Sequence, residues 1–295
     1  MFYLLLTVLA NVGIFMAFRS YRMFKINTLP AIVVNYAVCV ITGLSYIGWG
    51  NFTSRLEWGS EWILSAHFLG LIFIGAFFLM AYTTQVRGVS VATVASKMSL
   101  AIPVIFSLFI FKYAVNSLDT WNHLGIILSF VAIFLVSRKQ KIEAQKITFR
   151  FLLLPLAVFL LGGLIDTLLN YVNHTYVNEK IEPIYPIVIF GSAFFFGFTV
   201  LIIKKIRFGW KELIGGIYLG VPNYFSIYFQ LKALTAFDNN GAIVYPAMNI
   251  GIIICSTLLA ILLFKEKLTR LNFIGVGLAV IVIFLLSYQE ILKVL

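Results

Sequence analysis

Residues 184–203 read IYPIVIFGSAFFFGFTVLII, and no charged side chain interrupts them. A helix needs about 20 residues to cross about 30 Å of hydrocarbon, so this run is long enough to span a bilayer. It is continuous, whereas a membrane β-barrel strand would be a segment of about 10 alternating residues. Inside lipid every backbone polar group has to be satisfied within the segment, which leaves the helix. Comparable runs lie on either side, at roughly 2–18, 28–49, 62–83, 89–111, 121–136, 151–172, 213–231, 240–264 and 271–288. With 184–203 they predict an all-α membrane protein of ten transmembrane helices. The first run begins at Phe2 without a positive leader, so it reads as a span and not as a cleaved signal.

Composition agrees. Of 295 residues, 61% are hydrophobic and 11% charged, against roughly 45–50% and about 25% in soluble domains. Mean hydropathy is +1.00. A soluble core of this size has nowhere to put so much apolar surface. Trp49, Trp58, Trp62, Trp121 and Trp210 all fall at or just beyond run ends, where interfacial anchors belong. Cys39 and Cys255 sit inside apolar runs and read as buried free thiols.

The net charge of +11 does not indicate nucleic acid, because the basic residues occupy short loops and form no basic helix with interleaved aromatics. Their distribution speaks to orientation instead. Loops 19–27, 84–88, 137–150, 204–212 and 265–270 hold sixteen of the 22 Lys and Arg. The alternate side holds five: Arg55, Lys112, Lys180, Lys232 and Lys293. Lys97 falls inside a run. The bias places the first set of loops in the cytoplasm and both termini outside.

The charged segment 141–150 reads as a linker between a first five-helix repeat, 1–140, and a second, 151–295. Gly125, Ile133-Phe134-Leu135 and Ser137 recur at Gly275, Ile283-Phe284-Leu285 and Ser287, a constant offset of 150 residues. Five spans is an odd number, so two such halves insert with opposite orientation. Inverted repeats are a recurring transporter architecture.

Ala233-Leu234, the turn Phe264-Lys265-Glu266-Lys267-Leu268-Thr269 and Gly275 in the last run carry a resemblance. They resemble the EamA family of the drug/metabolite transporter superfamily, whose repeats have an Ala-Leu pair and a Glu-Arg-Leu-Thr-like turn before the final span. Pro103 matches a proline common in that family's fourth span, while Lys112-Tyr113-Ala114-Val115 lacks the glutamate of the corresponding turn. The resemblance implies a ten-helix secondary transporter with a cavity between two five-helix repeats. Members move amino acids, drugs, metabolites or nucleotide sugars. They are described with cytoplasmic termini, which conflicts with the charge count here.

Charged groups inside spans are costly and mark function. Asp166 lies in the sixth run, and Gly162, Asp166, Asn170 and Asn173 share one helix face. The functional reading is a cavity wall whose carboxylate binds a proton or a substrate amine; the alternative is a polar seam between helices. Lys97 is the other intramembrane charge. It reads either as a site for a substrate anion, as a partner of Asp166, or as a lysine whose stem carries its ammonium back to the interface. Asn223, Ser226 and Gln230 form a stripe on the eighth run, Asn35, Cys39 and Thr42 on the second, Tyr245 and Asn249 on the ninth, and Asn11 lies in the first. Such stripes serve interhelical hydrogen bonds or a shared cavity. Lys97, Asp166, Asn170, Asn223, Gln230, Tyr245 and Asn249 are the candidate substrate or coupling residues. Pro103, Pro222 and Pro246 are the candidate hinges. The fifth and tenth runs are almost free of polar groups and belong at the periphery.

There is no phosphate-binding Gly-x-x-x-x-Gly-Lys-Ser/Thr loop, no His-Glu-x-x-His pair and no Gly-x-Ser-x-Gly elbow. No enzyme activity, metal or cofactor is expected. The expected function is a secondary transporter in the inner membrane, an exporter of small polar or amphipathic metabolites such as amino acids. It would work by alternating access with protons as the candidate coupling partner, as a monomer or homodimer in the lipid bilayer. Two alternatives stand beside it. A lipid or lipid-linked carrier flippase would show a lateral groove, and a membrane-embedded enzyme would need acid, base or metal groups clustered near one interface.

Overall fold

A computed structural model describes residues 1–87, 95–113, 118–137, 149–207, 209–264 and 269–292. The linker 141–150 and the turn 265–268 fall wholly or mostly outside them. Among the described residues the chain is helical without strands. The long helices are α1 (Phe2–Phe24), α2 (Thr28–Ile47), α3 (Glu61–Arg87), α4 (Ala95–Phe111), α5 (Thr120–Ser137), α6 (Phe149–Thr175), α7 (Tyr185–Ile203), α8 (Trp210–Ala236), α9 (Gly241–Phe264) and α10 (Arg270–Leu292). A short helix, Trp49–Arg55, lies between α2 and α3.

Among the described residues, five helical stretches are long and apolar enough to cross a membrane: Thr28–Ile47, Glu61–Met80, Leu153–Thr175, Tyr185–Ile203 and Gly241–Leu259. The remaining long helices are either shorter in their apolar part or, like α8, diluted by polar residues. In α8 the dilution has a cause: Asn223, Ser226 and Gln230 are buried and turned inward. Three helices end on a lysine in the left-handed region: Lys25 after α1, Lys112 after α4 and Lys205 after α7. A cation at a helix C-terminus also suits the helix dipole.

Helix packing follows the small residues. Gly216 and Gly220 bring α8 onto α2, where an added Cβ on Gly220 would lie 2.5 Å from Val38 Cβ and 2.9 Å from the Asn35 carbonyl oxygen. Gly70 brings α3 onto α7 in the same way, 2.6 Å from the Ile189 carbonyl oxygen. Without water to drive association, such backbone approach and its dispersion contacts hold membrane helices together. Further neighbours are α1 with α8 and α9, α6 with α3 and α4, α2 with α7, α4 with α9, and α5 with α10.

Among the described residues two large apolar cores result, beside a small cluster of Ala17, Tyr21, Ala31 and Leu219. One is built on Tyr36, Leu69, Tyr185, Phe190 and Tyr224, from α2, α3, α7 and α8 with part of α6. The other is built on Leu100, Ile133, Val244, Tyr245 and Ala279, from α4, α5, α9 and α10 with parts of α1 and α8. Each core draws helices from both halves of the sequence, so the halves interleave. Trp62 corrects an expectation: it is 3% exposed, its ring 6.2 Å from that of Tyr185, and it belongs to the first core. The other four tryptophans are exposed. Proximity to a run end does not decide which face a residue occupies; the α3–α7 contact does.

Candidate functional site

Where the two cores meet there is a cavity of about 200 Å³. Its polar lining comes from Asn11 of α1, Ser96, Lys97 and Ser99 of α4, Asp166 of α6, Asn223, Ser226 and Gln230 of α8, and Asn249 of α9. Phe18, Phe73, Phe77 and Met80 supply an apolar wall from α1 and α3. The phenylalanines were not legible as a wall, because they are among 29 spread over nearly every run.

The charged residues are joined by a chain of hydrogen bonds across four helices. Lys97 Nζ donates to Asn249 Oδ1 at 3.1 Å, and Asn249 Nδ2 donates to the Tyr245 carbonyl at 3.0 Å. The Tyr245 hydroxyl donates to the Asp166 backbone carbonyl. Gln230 Nε2 reaches Asp166 Oδ1 at 3.4 Å. Lys97 and Asp166 are half-buried, and Tyr245, Asn249 and Gln230 are buried. The result is a cavity of mixed charge, one ammonium and one carboxyl group, with amides between them. It offers donors to an anionic group on the α4–α9 side and a carboxylate to a cationic group on the α6–α8 side.

Of the seven candidate residues, Lys97, Asp166, Asn223, Gln230 and Asn249 line this cavity. Tyr245 stands behind it, fixing α9 to α6 through Asp166. Asn170 lies off the lining. It is fully buried, its amide packed against Gly241, where an added Cβ would come 2.4 Å from Nδ2. The second-helix stripe is a seam: Asn35 Oδ1 accepts from Asn223 Nδ2 at 3.1 Å, and Cys39 Sγ donates to the Gly220 carbonyl at 3.3 Å. Pro222 and Pro246 sit inside continuous α8 and α9. Pro103 lies in the segment Ala101–Ile105, just before a π-helical turn over Phe106–Phe111.

Glu182, in the α6–α7 loop, went unremarked in the sequence. It is 4% exposed and pairs with Lys232 at 2.7 Å. Only the three-dimensional contact distinguishes it from an ordinary loop glutamate.

No family model matches the chain. A protein of Haemophilus influenzae described as uncharacterized is 29% identical over 222 residues, which is 75% of this chain and 74% of that protein. A crystal structure of another protein, 11% identical, superposes with a TM-score of 0.71 and covers 97% of this chain and 98% of its own. A likeness at that level of identity establishes a shared fold for nearly the whole chain.

Proposed function

We propose that this protein is a secondary transporter, an exporter of small polar or amphipathic metabolites such as amino acids, related to the EamA family. In this proposal ten helices span the inner membrane as two inverted five-helix repeats, and the cavity is exposed alternately to each side. The observation that carries it is the mixed-charge cavity, in which Lys97 and Asp166 are brought in from two helices and held by buried amides on two more. Intramembrane charges facing a cavity mark substrate or ion pathways. Lys97 meets a substrate anion; Asp166 meets a substrate amine or the coupling proton.

The pattern of helix contacts supports the repeat. Adding five to each helix number turns α1–α8 into α6–α3, α2–α8 into α7–α3 and α1–α9 into α6–α4, and each of these pairs packs. The offset of 150 residues relates the contacts too. Asn122 Nδ2 donates to the Leu285 carbonyl at 3.2 Å, and Asn272 Nδ2 donates to the Leu135 carbonyl at 3.2 Å. Asp119 caps with Asn122 as Thr269 caps with Asn272.

The test is uptake and release of a pooled metabolite mixture in proteoliposomes under an imposed pH gradient, with Asp166→Asn in parallel. A cargo moved by the wild type and not by the variant supports the proposal and names the substrate. With folded, inserted protein, failure to move any cargo overturns it.

One observation favours the flippase as a second reading. An apolar groove of about 460 Å³ runs between α4 and α6, lined by Ile102, Phe106, Leu160 and Leu164 among others. Such a groove accommodates an acyl chain. Movement of a labelled phospholipid, in place of soluble cargo, in the same vesicles would select this reading.

A further inference from the structure

The cavity lies near the middle of the helices that enclose it, its lining shifted toward the Lys/Arg-rich end on α1 and α3, centred on α6, and shifted toward the opposite end on α8 and α9. Asp166 and Gln230 lie toward its opposite end. Beyond them the helices are tied together. Asn173 is two turns past Asp166, roughly 10 Å along α6. It donates from Nδ2 to Thr235 Oγ1 at 3.0 Å and to Asn239 Oδ1 at 2.7 Å. Thr235 Oγ1 also donates to Glu182 Oε1 at 3.3 Å, and Glu182 Oε2 pairs with Lys232 at 2.7 Å. The Lys232 ammonium lies 5.2 Å from the centre of the Tyr3 ring, which brings in the start of α1.

This cluster joins α6, the α6–α7 loop, α8 and α1 across one end of the cavity. The corresponding pair at the other end behaves differently. Shifting α6–α8 by five gives α1–α3, and among the described residues these two helices are not closely packed. They face each other through the Phe18 and Phe77 rings, 6.1 Å apart at their centres, on the cavity wall. Among the described residues, polar bonds tie α6 to α8 at one end, whereas α1 and α3 meet through ring contact at the other. That is the asymmetry expected of a two-state carrier caught in one of its states.

We propose that Asn173, Glu182, Lys232 and Thr235 form the gate that closes the cavity on the Lys180 side, with Glu182 holding it shut. The proposal rests on the transporter reading. A buried ion pair adds little net stability over apolar packing, and its best-attested use is to fix a register or a switch. Glu182 is the buried partner and Lys232 the partly exposed one, so removing Lys232 leaves a buried carboxylate without its counter-charge and favours the state that hydrates it. Opening exposes Glu182 and Lys232 to water and parts α6 from α8 at this end.

The test reads accessibility and needs no cargo. Ser226 lines the cavity, so Ser226→Cys is placed in a chain whose Cys39 and Cys255 are replaced by serine. Its labelling by a membrane-impermeant maleimide is timed from each face of the vesicle. From the Lys180 face, labelling is expected to be slow, and Glu182→Gln or Lys232→Met speeds it about tenfold, as ~1.4 kcal/mol of lost closure would. The exchanged pair, Glu182→Lys with Lys232→Glu, returns the rate toward the starting value. Unchanged rates in both single variants, with melting curves showing them folded, would overturn the gate. A gate that behaves as stated in a protein that moves no cargo leaves the gate standing and removes the transporter reading.

Discussion

At the scale of single residues, the cavity is organised around two charges that lipid penalises and neighbouring amides stabilise. Lys97 is bound through Asn249 and Asp166 through Gln230, so neutralising either alters the chemistry of the site with little change in volume. On the transporter proposal, Lys97→Met and Asp166→Asn are each expected to lower transport at least about tenfold, equivalent to ~1.4 kcal/mol, while thermal melting in detergent shows both variants folded. Wild-type rates in both would remove these residues from the mechanism. Their place on the cavity lining agrees with the sequence reading, since an ionisable side chain within an apolar run stands out. Asn170 shows the limit of that reasoning. It shares a helix face with Asp166, yet one turn further along that face meets the start of α9 at Gly241 and no longer the cavity.

At the scale of elements, two devices set how α2 and α8 meet. Close approach is one: Gly220 allows the α8 backbone to within contact of Asn35 and Val38. Gly220→Val is expected to cost about 1–3 kcal/mol through overpacking, seen as a lower melting temperature. The other is Glu212, in the first turn of α8, before the apolar run. Its carboxylate accepts from the Gly209 N–H at 2.8 Å and from the Asn27 N–H, at the start of α2, at 3.1 Å. The Asn27 bond, then the Gly209 bond, hold this carboxyl below the usual carboxylate range. A depressed value means that the stabilisation is complete above the ordinary carboxylate value of about 4.3 and is lost as pH falls through the lower folded value. Glu212→Gln is expected to melt lower than the wild type at pH 7, by the worth of a cap, ~1 kcal/mol, with the gap closing below about pH 4. A gap independent of pH would refute the carboxylate's role.

At the scale of the whole molecule, α5 and α10 form a seam whose two ends mirror each other. Asn122 and Asn272 each donate to a carbonyl of the other helix, at Leu285 and Leu135. If a two-fold relation governs the fold, Asn122→Ala and Asn272→Ala should destabilise equally, by ~1 kcal/mol each for a lost hydrogen bond. Clearly unequal losses in denaturation measurements would argue that the two contacts are not equivalent. Both helices expose apolar side chains such as Ile127, Phe134, Phe273 and Phe284, in line with their near-lack of polar groups. The asparagines went unnoticed at the run ends, although they obey the same 150-residue offset as Gly125 and Gly275.

The sequence by itself determined that the chain is helical and apolar enough for a membrane, and which charges lie inside its runs. Those properties are local: hydropathy, length and the need to satisfy the backbone within each segment decide them. Only the tertiary structure decided that Trp62 is core, that the Asn35 stripe is a seam with α8, and that Glu182 meets Lys232. These depend on which helix faces which. Helix contacts in lipid are set by small residues and shape rather than by a hydrophobic drive that composition would reveal.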